Sequence, residues 1–285
     1  MTVRTIAVLG AGIMGRGIAY ASAVGGYRTV LQDLDGAALE KAMAEISATL
    51  EKGVALGKLD GQTAAAAHKR ISAARGLEEA VREADLVIEA VPEKIDLKLE
   101  IFGKLDRCAP GHAVLASNTS SLSITEMAAA TGRGPQVVGM HFFNPVPRMK
   151  LLEVVRALET SDGAIATACE VGRAMGKECV VVRESPGFVT SRINAMIGNE
   201  AFYMLQEGVA SASDIDRALK LGLNHPMGPF ELVDLVGLDT RLSILRYLHR
   251  TLGEKYRPCP LIEQYVAAGR LGRKTGRGVY EYGAS

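Results

Sequence analysis

Short apolar runs alternate with longer amphipathic segments over the first two thirds of the chain. The runs, several of them rich in β-branched residues, lie at residues 5–9, 29–32, 86–89, 113–116, 137–140, 151–155 and 178–182. Apolar runs of this length that end in turn residues are typical of buried parallel strands. Because helical patterns separate most of them, the sequence predicts an α/β domain with a mainly parallel sheet.

Helical patterns between the runs differ in length. Residues 13–24, which end at two glycines, and residues 95–108 each predict one helix. Residues 36–69 are rich in Ala, Glu, Lys and Leu, and they predict one long helix or two successive helices with a break near residues 53–61. This excursion is longer than a standard crossover between parallel strands.

The pattern changes after residue 184, where a Ser-Pro-Gly break ends the alternation. Helical periodicity then continues over residues 188–207, 213–221 and 229–252. We therefore predict two domains, residues 1–184 with the sheet and residues 185–285 with helices only. Apolar side chains recur with helical spacing in the first of these helices, at Phe188, Ile193, Met196, Ile197, Met204 and Leu205. Such a stripe forms a core or a subunit contact, and we expect a homodimer.

Composition limits the class of protein. The 285 residues are 48% hydrophobic and 23% charged with a formal net charge of +1, which gives no general attraction to nucleic acid or to an anionic membrane. No apolar run reaches the roughly 18–20 residues of a membrane helix. The N-terminal residues have the pattern of a strand and no apolar region with a cleavage site, so we expect no signal peptide. The four cysteines have no metal-ligand spacing, so we expect free thiols, no metal site and a cytoplasmic location.

A glycine-rich motif, GAGIMG, follows the first apolar run and matches GxGxxG. Gly10 permits a tight turn, Gly12 lets the backbone approach a pyrophosphate, and Gly15 lets the next helix lie close to the strand. The N–H groups at the start of that helix, at Ile13 and Met14, then face the phosphates. The motif alone is weakly specific, but its place between a predicted strand and a predicted helix indicates dinucleotide binding.

An acidic residue ends the second apolar run. Asp33, eighteen positions after Gly15, can accept hydrogen bonds from the adenosine ribose hydroxyls and would repel a 2′-phosphate. The alternative role is a helix N-cap, which fits Asp35 better because the next helical pattern starts there. We assign Asp33 to the ribose, which predicts NAD rather than NADP.

His141 and Glu153 are the candidates for proton transfer. An imidazole exchanges a proton near neutral pH, and a neighbouring carboxylate can orient it and raise its basicity. A lone histidine is more often an ordinary core or surface residue. Here apolar runs frame both residues, which predicts that they lie at strand ends or loop edges, where α/β sheets carry their chemistry.

Two further groups of polar residues are candidates for ligand contacts. The hydroxyl-rich SNTSSL follows a predicted strand, and we assign Ser120 to the site, while Ser121 or Ser123 fits the N-cap of the next helix. Lys52 and Lys58 belong to the helical excursion. They either attract a distant anionic group or are ordinary solvated lysines.

Seven features occur in order between Thr5 and Tyr282: GAGIMGRGIA, Asp33, SNTSSL, HFFNPVPRMKLLEVV, SPGFVTSRI, NHPMGPFELVDLVGLDT and GRKTGRGVYEY. This series resembles the short-chain L-3-hydroxyacyl-CoA dehydrogenase family, including bacterial 3-hydroxybutyryl-CoA dehydrogenases. The resemblance implies a Rossmann-type NAD-binding domain followed by a helical domain for the substrate cleft and dimerisation. It also implies a place in fatty acid or butanoate metabolism.

The implied reaction is oxidation of the 3-hydroxyl of an acyl-CoA thioester, with NAD taking the hydride, and its reverse. A short-chain substrate, 3-hydroxybutyryl-CoA, is favoured by the resemblance. His141 would be the general base and Glu153 its orienting carboxylate. Ser120 and Asn144 would lie beside the substrate and the nicotinamide.

The resemblance assigns further contacts. Glu93, Lys98 and Lys274 match positions that touch the cofactor. For the CoA tail, the matching region holds Thr49, Lys52 and Lys58. Many members have Asn before the Arg of a GFxxNR motif, whereas this chain has Ser191. Serine is shorter and lacks the second hydrogen-bonding function of the amide.

Two other functions share parts of the pattern. A β-hydroxyacid dehydrogenase of the 6-phosphogluconate type would use a lysine on its interdomain helix, and residues 188–207 contain none. A non-catalytic NAD-binding or lens-type structural protein has no need of a proton-transfer set, yet His141, Glu153, Ser120 and Asn144 are all present. Turnover of acetoacetyl-CoA with NADH discriminates among the three.

Overall fold

In a computed structural model that describes residues 2–283, the chain forms two compact units. The first is Met1–Glu184 and the second is Ser185–Ser285. The first unit contains the sheet and the second contains mainly helices. This confirms the predicted fold class, a mainly parallel α/β domain followed by a helical domain.

One sheet of eight strands, counted within residues 2–283, forms the centre of the first unit. The strands are β1 (Thr5–Leu9), β2 (Arg28–Gln32), β3 (Ile71–Ala74), β4 (Leu86–Glu89), β5 (Val114–Ser117), β6 (Val137–Phe142), β7 (Leu151–Arg156) and β8 (Glu178–Arg183). Their order is β3-β2-β1-β4-β5-β6-β7-β8. Neighbouring strands are parallel except β6 and β7, which pair antiparallel.

Helices connect the strands of the first unit. They are α1 (Ile13–Val24), α2 (Gly36–Ala55), α3 (Gly61–Arg70), α4 (Leu77–Val81), α5 (Ile95–Cys108), α6 (Ile124–Ala129) and α7 (Asp162–Ala174), with a 3-10 turn at Gly134–Gln136. The excursion predicted over residues 36–69 is thus two helices. The pattern did not identify β3, α4 or α7, whereas the helix expected after Ser121 or Ser123 is α6. For β3 the reason is that its sequence is only ISAA, with two exposed residues, which leaves a weak apolar signal.

The chain reverses its direction across the sheet between β1 and β4. β1 lies between β2 and β4, so the connections from β1 and from β3 leave in opposite directions. A crevice forms at the carboxyl ends of the strands at such a switch point, and dinucleotides bind there in open α/β sheets. The core around these strands is fully buried and includes Ile6, Val8 and Ile88.

The second unit consists of α8 (Thr190–Gln206), α9 (Ala212–Gly222), α10 (Pro229–Val236), α11 (Leu238–Leu252) and α12 (Pro260–Ala267), with 3-10 turns at Glu254–Tyr256 and Arg273–Thr275. The single helix predicted over residues 229–252 is wrong. Gly237 has φ 107°, a left-handed conformation that ends α10 and starts α11 in a new direction. This unit is not made of helices alone, since two isolated β-bridges join Arg277 to Gly272 and to Glu281.

Aromatic side chains fill the core of the second unit. Phe202 and Phe230 are fully buried, with ring centroids 5.2 Å apart in an edge-to-face arrangement. Met196, Met204 and Leu205 pack against this core, as predicted for the apolar stripe of α8. Ile193, from the same stripe, is 57% exposed and contributes to the surface.

Candidate active site

The glycine motif forms the turn between β1 and α1, and glycine is needed at its three positions for three different reasons. Gly10 has φ 97°, and a Cβ there would lie 2.7 Å from the carbonyl oxygen of Ala90. A Cβ on Gly15 would lie 1.7 Å from the carbonyl oxygen of Gly10, so only glycine lets the helix approach its own strand. A Cβ on Gly12 would meet nothing within 4 Å. Gly12 therefore leaves the helix N-terminus open, as a pyrophosphate requires.

The helix that follows presents its first N–H groups without a side-chain cap. α1 begins at Ile13 and Met14, and its N-cap Gly12 supplies no side-chain hydrogen bond. Uncapped N–H groups at a helix start attract an anion through hydrogen bonds and the helix dipole. The residues present thus fit the diphosphate of a dinucleotide.

Asp33 and Asp35 have separate roles after β2. Asp33 accepts hydrogen bonds from the backbone N–H of Ala11 (2.8 Å) and of Asp35 (3.0 Å), which places its carboxylate beside the glycine turn. Asp35 caps α2 by accepting from the N–H of Ala37 at 2.9 Å, so its predicted N-cap role is confirmed. An acid at the end of the second strand bonds to the adenosine ribose in dinucleotide-binding sheets, and the Asp33 carboxylate would fit that role.

His141 and Glu153 face each other across the antiparallel pair β6–β7. They are direct register partners, and His141 Nδ1 lies 2.6 Å from Glu153 Oε2. His141 is 7% exposed and Glu153 is 1% exposed, so the pair is shielded from water and the hydrogen bond to the carboxylate is strong. The prediction that both lie at strand ends or loop edges is wrong for Glu153, which is the third residue of the six-residue strand β7. Antiparallel pairing, rather than a loop, brings the two together.

The loop after β5 reaches the same end of the sheet. Asn118, which the sequence analysis did not single out, accepts a hydrogen bond from the N–H of Phe142 at 2.9 Å and so ties this loop to the residue after His141. Ser123 accepts from the N–H of Glu126, which makes it the N-cap of α6. Ser120 is half-buried and its N–H donates to Glu93 Oε1 at 3.1 Å.

Glu93 and Lys98 are in contact, and Lys98 is completely enclosed. Lys98 is 0% exposed, and its Nζ lies 3.4 Å from Glu93 Oε2. Its shorter contacts are to both oxygens of Glu89, at 2.6 and 2.8 Å. Glu89 was not predicted as a site residue, because in the sequence it is only the last residue of an apolar run.

Asn144 belongs to a pocket of about 380 Å³ in the first unit. Its wall includes Ile13, Arg16, Tyr20, Glu45, Thr49, Lys52 and Arg148. Arg16 forms an ion pair with Glu45. Within residues 2–283, Lys52 and Arg148 have no such carboxylate partner, so the pocket wall carries uncompensated positive charge. Lys58 is exposed between α2 and α3 and is not part of this wall.

Two predicted site residues belong to the second unit. Ser191 is the second residue of α8 and is half-buried. Lys274 lies in the 3-10 turn Arg273–Thr275 and forms an ion pair with Asp239, with 2.6 Å between Nζ and Oδ1. Asp239 was not singled out from the sequence.

Two structural absences hold for the described residues. Between residues 2 and 283, no group of three or more His, Cys, Asp or Glu side chains is arranged to hold a metal ion. Over the same range, no helix combines the length and the apolar character needed to cross a membrane.

A parallel sheet with a glycine turn at its switch point and an acid after the second strand defines a dinucleotide-dependent oxidoreductase. Comparison with known families makes this specific. Residues 5–185 match the model of the 3-hydroxyacyl-CoA dehydrogenase NAD-binding domain, and residues 187–282 match the C-terminal domain of the same family. The chain belongs to the 3-hydroxyacyl-CoA dehydrogenase family, and its cofactor is NAD. Membership of the 6-phosphogluconate class is thereby excluded.

Relatives of known name cover the whole chain. The Probable 3-hydroxybutyryl-CoA dehydrogenase of Bacillus subtilis (strain 168) is 48% identical over 283 residues, which are 99% of this chain and 98% of the relative. The 3-hydroxybutyryl-CoA dehydrogenase of Bradyrhizobium diazoefficiens is 44% identical, covering 98% of this chain and 96% of the relative. The crystal structure of (S)-3-hydroxybutyryl-CoA dehydrogenase from Ralstonia eutropha matches with a TM-score of 0.96 and 44% identity, covering 99% and 100% of the two chains.

Proposed function

We propose that the protein interconverts L-3-hydroxyacyl-CoA and 3-ketoacyl-CoA with NAD, and that its substrate is a short-chain thioester such as 3-hydroxybutyryl-CoA. The observation that carries the proposal is the His141–Glu153 pair, 2.6 Å apart and buried, in a domain built for NAD. The names of the relatives support the substrate class. A buried base of this kind has no purpose in a structural NAD-binding protein.

His141 serves as the general base in the oxidation. Because Glu153 holds Nδ1, Nε2 is the nitrogen directed to the substrate, and it removes the proton of the 3-hydroxyl. Glu153 then stabilises the imidazolium that forms. When bound, NAD supplies the ring carbon that accepts the hydride from C3. The C–H and O–H bonds break and the C=O bond forms, so one hydride and one proton leave the substrate; in reduction both return.

Ser120 and Asn144 orient the reacting groups in this proposal. Ser120 follows β5, and its backbone is held by Glu93 at 3.1 Å. Asn144 follows β6 and lines the pocket that also contains Thr49 and Lys52. Asn144 lies two residues past the end of β6 and lines a space large enough for part of a CoA chain.

The positively charged pocket is the proposed site for the CoA tail. Lys52 and Arg148 bring two cations to its wall, and Thr49 adds a hydroxyl. CoA carries a diphosphate and a 3′-phosphate, which lysine and arginine bind through charge-assisted hydrogen bonds. Of the three residues that the family resemblance assigns to this tail, Thr49 and Lys52 line the pocket and Lys58 does not; Arg148 is a further residue of the wall.

Substitution of both cations should raise KM only for substrates that carry the CoA phosphates. In the variant Lys52→Ala/Arg148→Ala, we expect KM for acetoacetyl-CoA to rise about 100-fold or more, since each of the two charged hydrogen bonds contributes about 1.5–3 kcal/mol. Steady-state rates at 340 nm measure this. With acetoacetyl-N-acetylcysteamine, which lacks the phosphates, KM should not change. Lys58→Ala is the matched control outside the pocket wall; an equal rise there would mean diffuse attraction instead of a site.

The activity is tested with NADH and a series of 3-ketoacyl-CoA thioesters from C4 to C16, with NADPH in parallel. We expect turnover with NADH that is highest for the C4 substrate. No oxidation of NADH with any member of the series would refute the proposed function, and a maximum at long chains would refute its short-chain part.

We also propose a cytoplasmic homodimer in which the second unit forms the contact. Ile193 and Val189, near the start of α8, are 57% and 52% exposed, and all four cysteines are free thiols, which fits a reducing compartment. Sedimentation equilibrium should give twice the chain mass of 30.2 kDa, and Ile193→Glu should shift the protein toward the single-chain mass. A wild-type protein that sediments as one chain at about 20 μM would refute the dimer.

A further inference from the structure

A buried ion pair lies next to the site, and the proposed mechanism does not use it. Glu89 and Lys98 are both 0% exposed, with 2.6 and 2.8 Å between Nζ and the two carboxylate oxygens. Burial of two charges costs several kcal/mol per ion, and an apolar pair of similar volume is often as stable or more stable. Stability alone therefore does not account for the pair.

Its place in the sheet points to the cofactor crevice. Glu89 is the last residue of β4 and is in register with Leu9, the last residue of β1. The next residue, Ala90, has its carbonyl oxygen in the position that excludes a side chain from Gly10. Glu89 and Lys98 are therefore directly beside the glycine turn, at the switch point of the sheet.

Each carboxylate oxygen of Glu89 accepts two hydrogen bonds. Besides Lys98, it accepts from the N–H of Val91 at 2.7 Å and from the hydroxyl of Ser117 at 2.6 Å. Burial raises the pKa of the Glu89 carboxyl, and these donors together with the Lys98 ammonium oppose the rise. The carboxylate thus links the ends of β4 and β5 to α5, the helix that carries Lys98.

Lys98 connects this buried carboxylate to the surface of the site. Its remaining contact is to Glu93 Oε2 at 3.4 Å, and Glu93 is 40% exposed in its side chain. The other oxygen of Glu93 accepts from the hydroxyl of Thr119 and from the N–H of Ser120. A continuous chain of polar contacts therefore runs from Glu89 through Lys98 and Glu93 to Ser120.

We propose that Glu89 and Lys98 are positioning residues: the buried pair fixes the carboxylate of Glu93, and through it Ser120, for hydride transfer. Lys98 then acts on the site through Glu93 and not by contact with the cofactor. Without the Lys98 ammonium, Glu89 and Glu93 would repel each other, and the half-exposed Glu93 would turn to solvent and release Ser120. The inference rests on the proposed function, because Ser120 has its role there.

Single variants distinguish a positioning role from a cofactor ligand. In Lys98→Met, Glu89→Gln and Glu93→Gln we expect kcat for acetoacetyl-CoA reduction to fall about 10- to 100-fold, the range for a reacting geometry displaced by up to about 1 Å. The Kd for NADH, from fluorescence titration, should change less than threefold. Lys104→Met is the matched control, since Lys104 is on the same helix in an exposed pair with Glu100, and it should retain full kcat.

A double variant separates positioning from folding. Glu89→Gln/Lys98→Met buries no charge and should stay folded by thermal unfolding, yet we expect it to keep the loss in kcat. Lys98→Met/Glu93→Gln should lose no more than either single variant, because both changes interrupt the same chain of contacts.

Three results would overturn the proposal. One is a rise of tenfold or more in the Kd for NADH in Lys98→Met together with normal kcat in Glu89→Gln, which would make Lys98 a direct ligand. The second is wild-type kcat in Glu93→Gln, and the third is wild-type kcat in the folded, charge-free double variant. Failure of the proposed function is recognised separately, as absence of turnover in the wild-type protein.

Discussion

Replacement of His141 by glutamine is expected to lower kcat for acetoacetyl-CoA reduction by about 10²–10⁴-fold, the contribution of a positioned general acid–base group. Glutamine retains a hydrogen-bonding side chain but cannot carry the proton between solvent and substrate. The proposed NADH site consists of the glycine turn and Asp33 and does not include His141, so the Kd for NADH should remain within about threefold. Stopped-flow rates and fluorescence titration measure the two quantities independently.

The partner of His141 provides the matched test. Glu153→Gln keeps the size of a side chain that is 1% exposed, but it removes the charge that stabilises the imidazolium. We expect kcat to fall by about 10- to 10³-fold, less than in His141→Gln, because the base itself is still present. Equal losses of turnover and NADH binding in either variant would indicate a damaged domain and would contradict the assignment of the base.

Substitution of Asp33 by serine is the second change with a large expected effect. The ratio of kcat/KM with NADPH to that with NADH should rise about 10- to 100-fold. One charged hydrogen bond to the ribose, worth about 1.5–3 kcal/mol, is lost with NADH, and the repulsion of a 2′-phosphate is removed. Activity with NADH should also decline, because Asp33 holds the N–H of Ala11 in the glycine turn at 2.8 Å.

A nearby acid serves as control for the loss of charge. Asp35→Ser removes a carboxylate two residues further on, but serine also caps helices well, and the Asp35 side chain accepts from the N–H of Ala37 at the start of α2. Coenzyme preference should therefore stay unchanged in Asp35→Ser. If both variants altered it equally, general electrostatics and not the ribose contact would be responsible.

The cofactor half of the site could be predicted from the sequence because its parts are close together in the chain. Gly10, Gly12 and Gly15 act within one turn. A side chain on Gly10 or Gly15 would clash with backbone atoms, and Gly12 leaves the start of the helix open. Asp33 follows the next strand directly, and parallel pairing of β1 with β2 necessarily brings their carboxyl ends to one edge. The order of these residues along the chain and the parallel pairing of the strands were sufficient to predict that the glycines and Asp33 lie together.

The site residues that could not be predicted from the sequence are those whose roles depend on contacts between distant parts of the chain. Glu89 has the pattern of a strand end, and only its burial against Lys98 gives it a role. Arg148 becomes a pocket residue because the loop after β6 lies against α1 and α2. The Asn118 side chain accepts a hydrogen bond from a backbone N–H of β6 and so joins the loop after β5 to β6. A contact to a backbone group leaves no pattern in the sequence.

By itself, the sequence determined the alternation of strands and helices, the position of the glycine turn, and the choice of a histidine and a carboxylate as candidates for proton transfer. Apolar periodicity and glycine stereochemistry are local properties, so they can be read along the chain. Tertiary structure decided that β7 runs antiparallel to β6, which sets Glu153 opposite His141 at 2.6 Å. Strand direction depends on the energy of the whole sheet, and no local pattern in the residues records it.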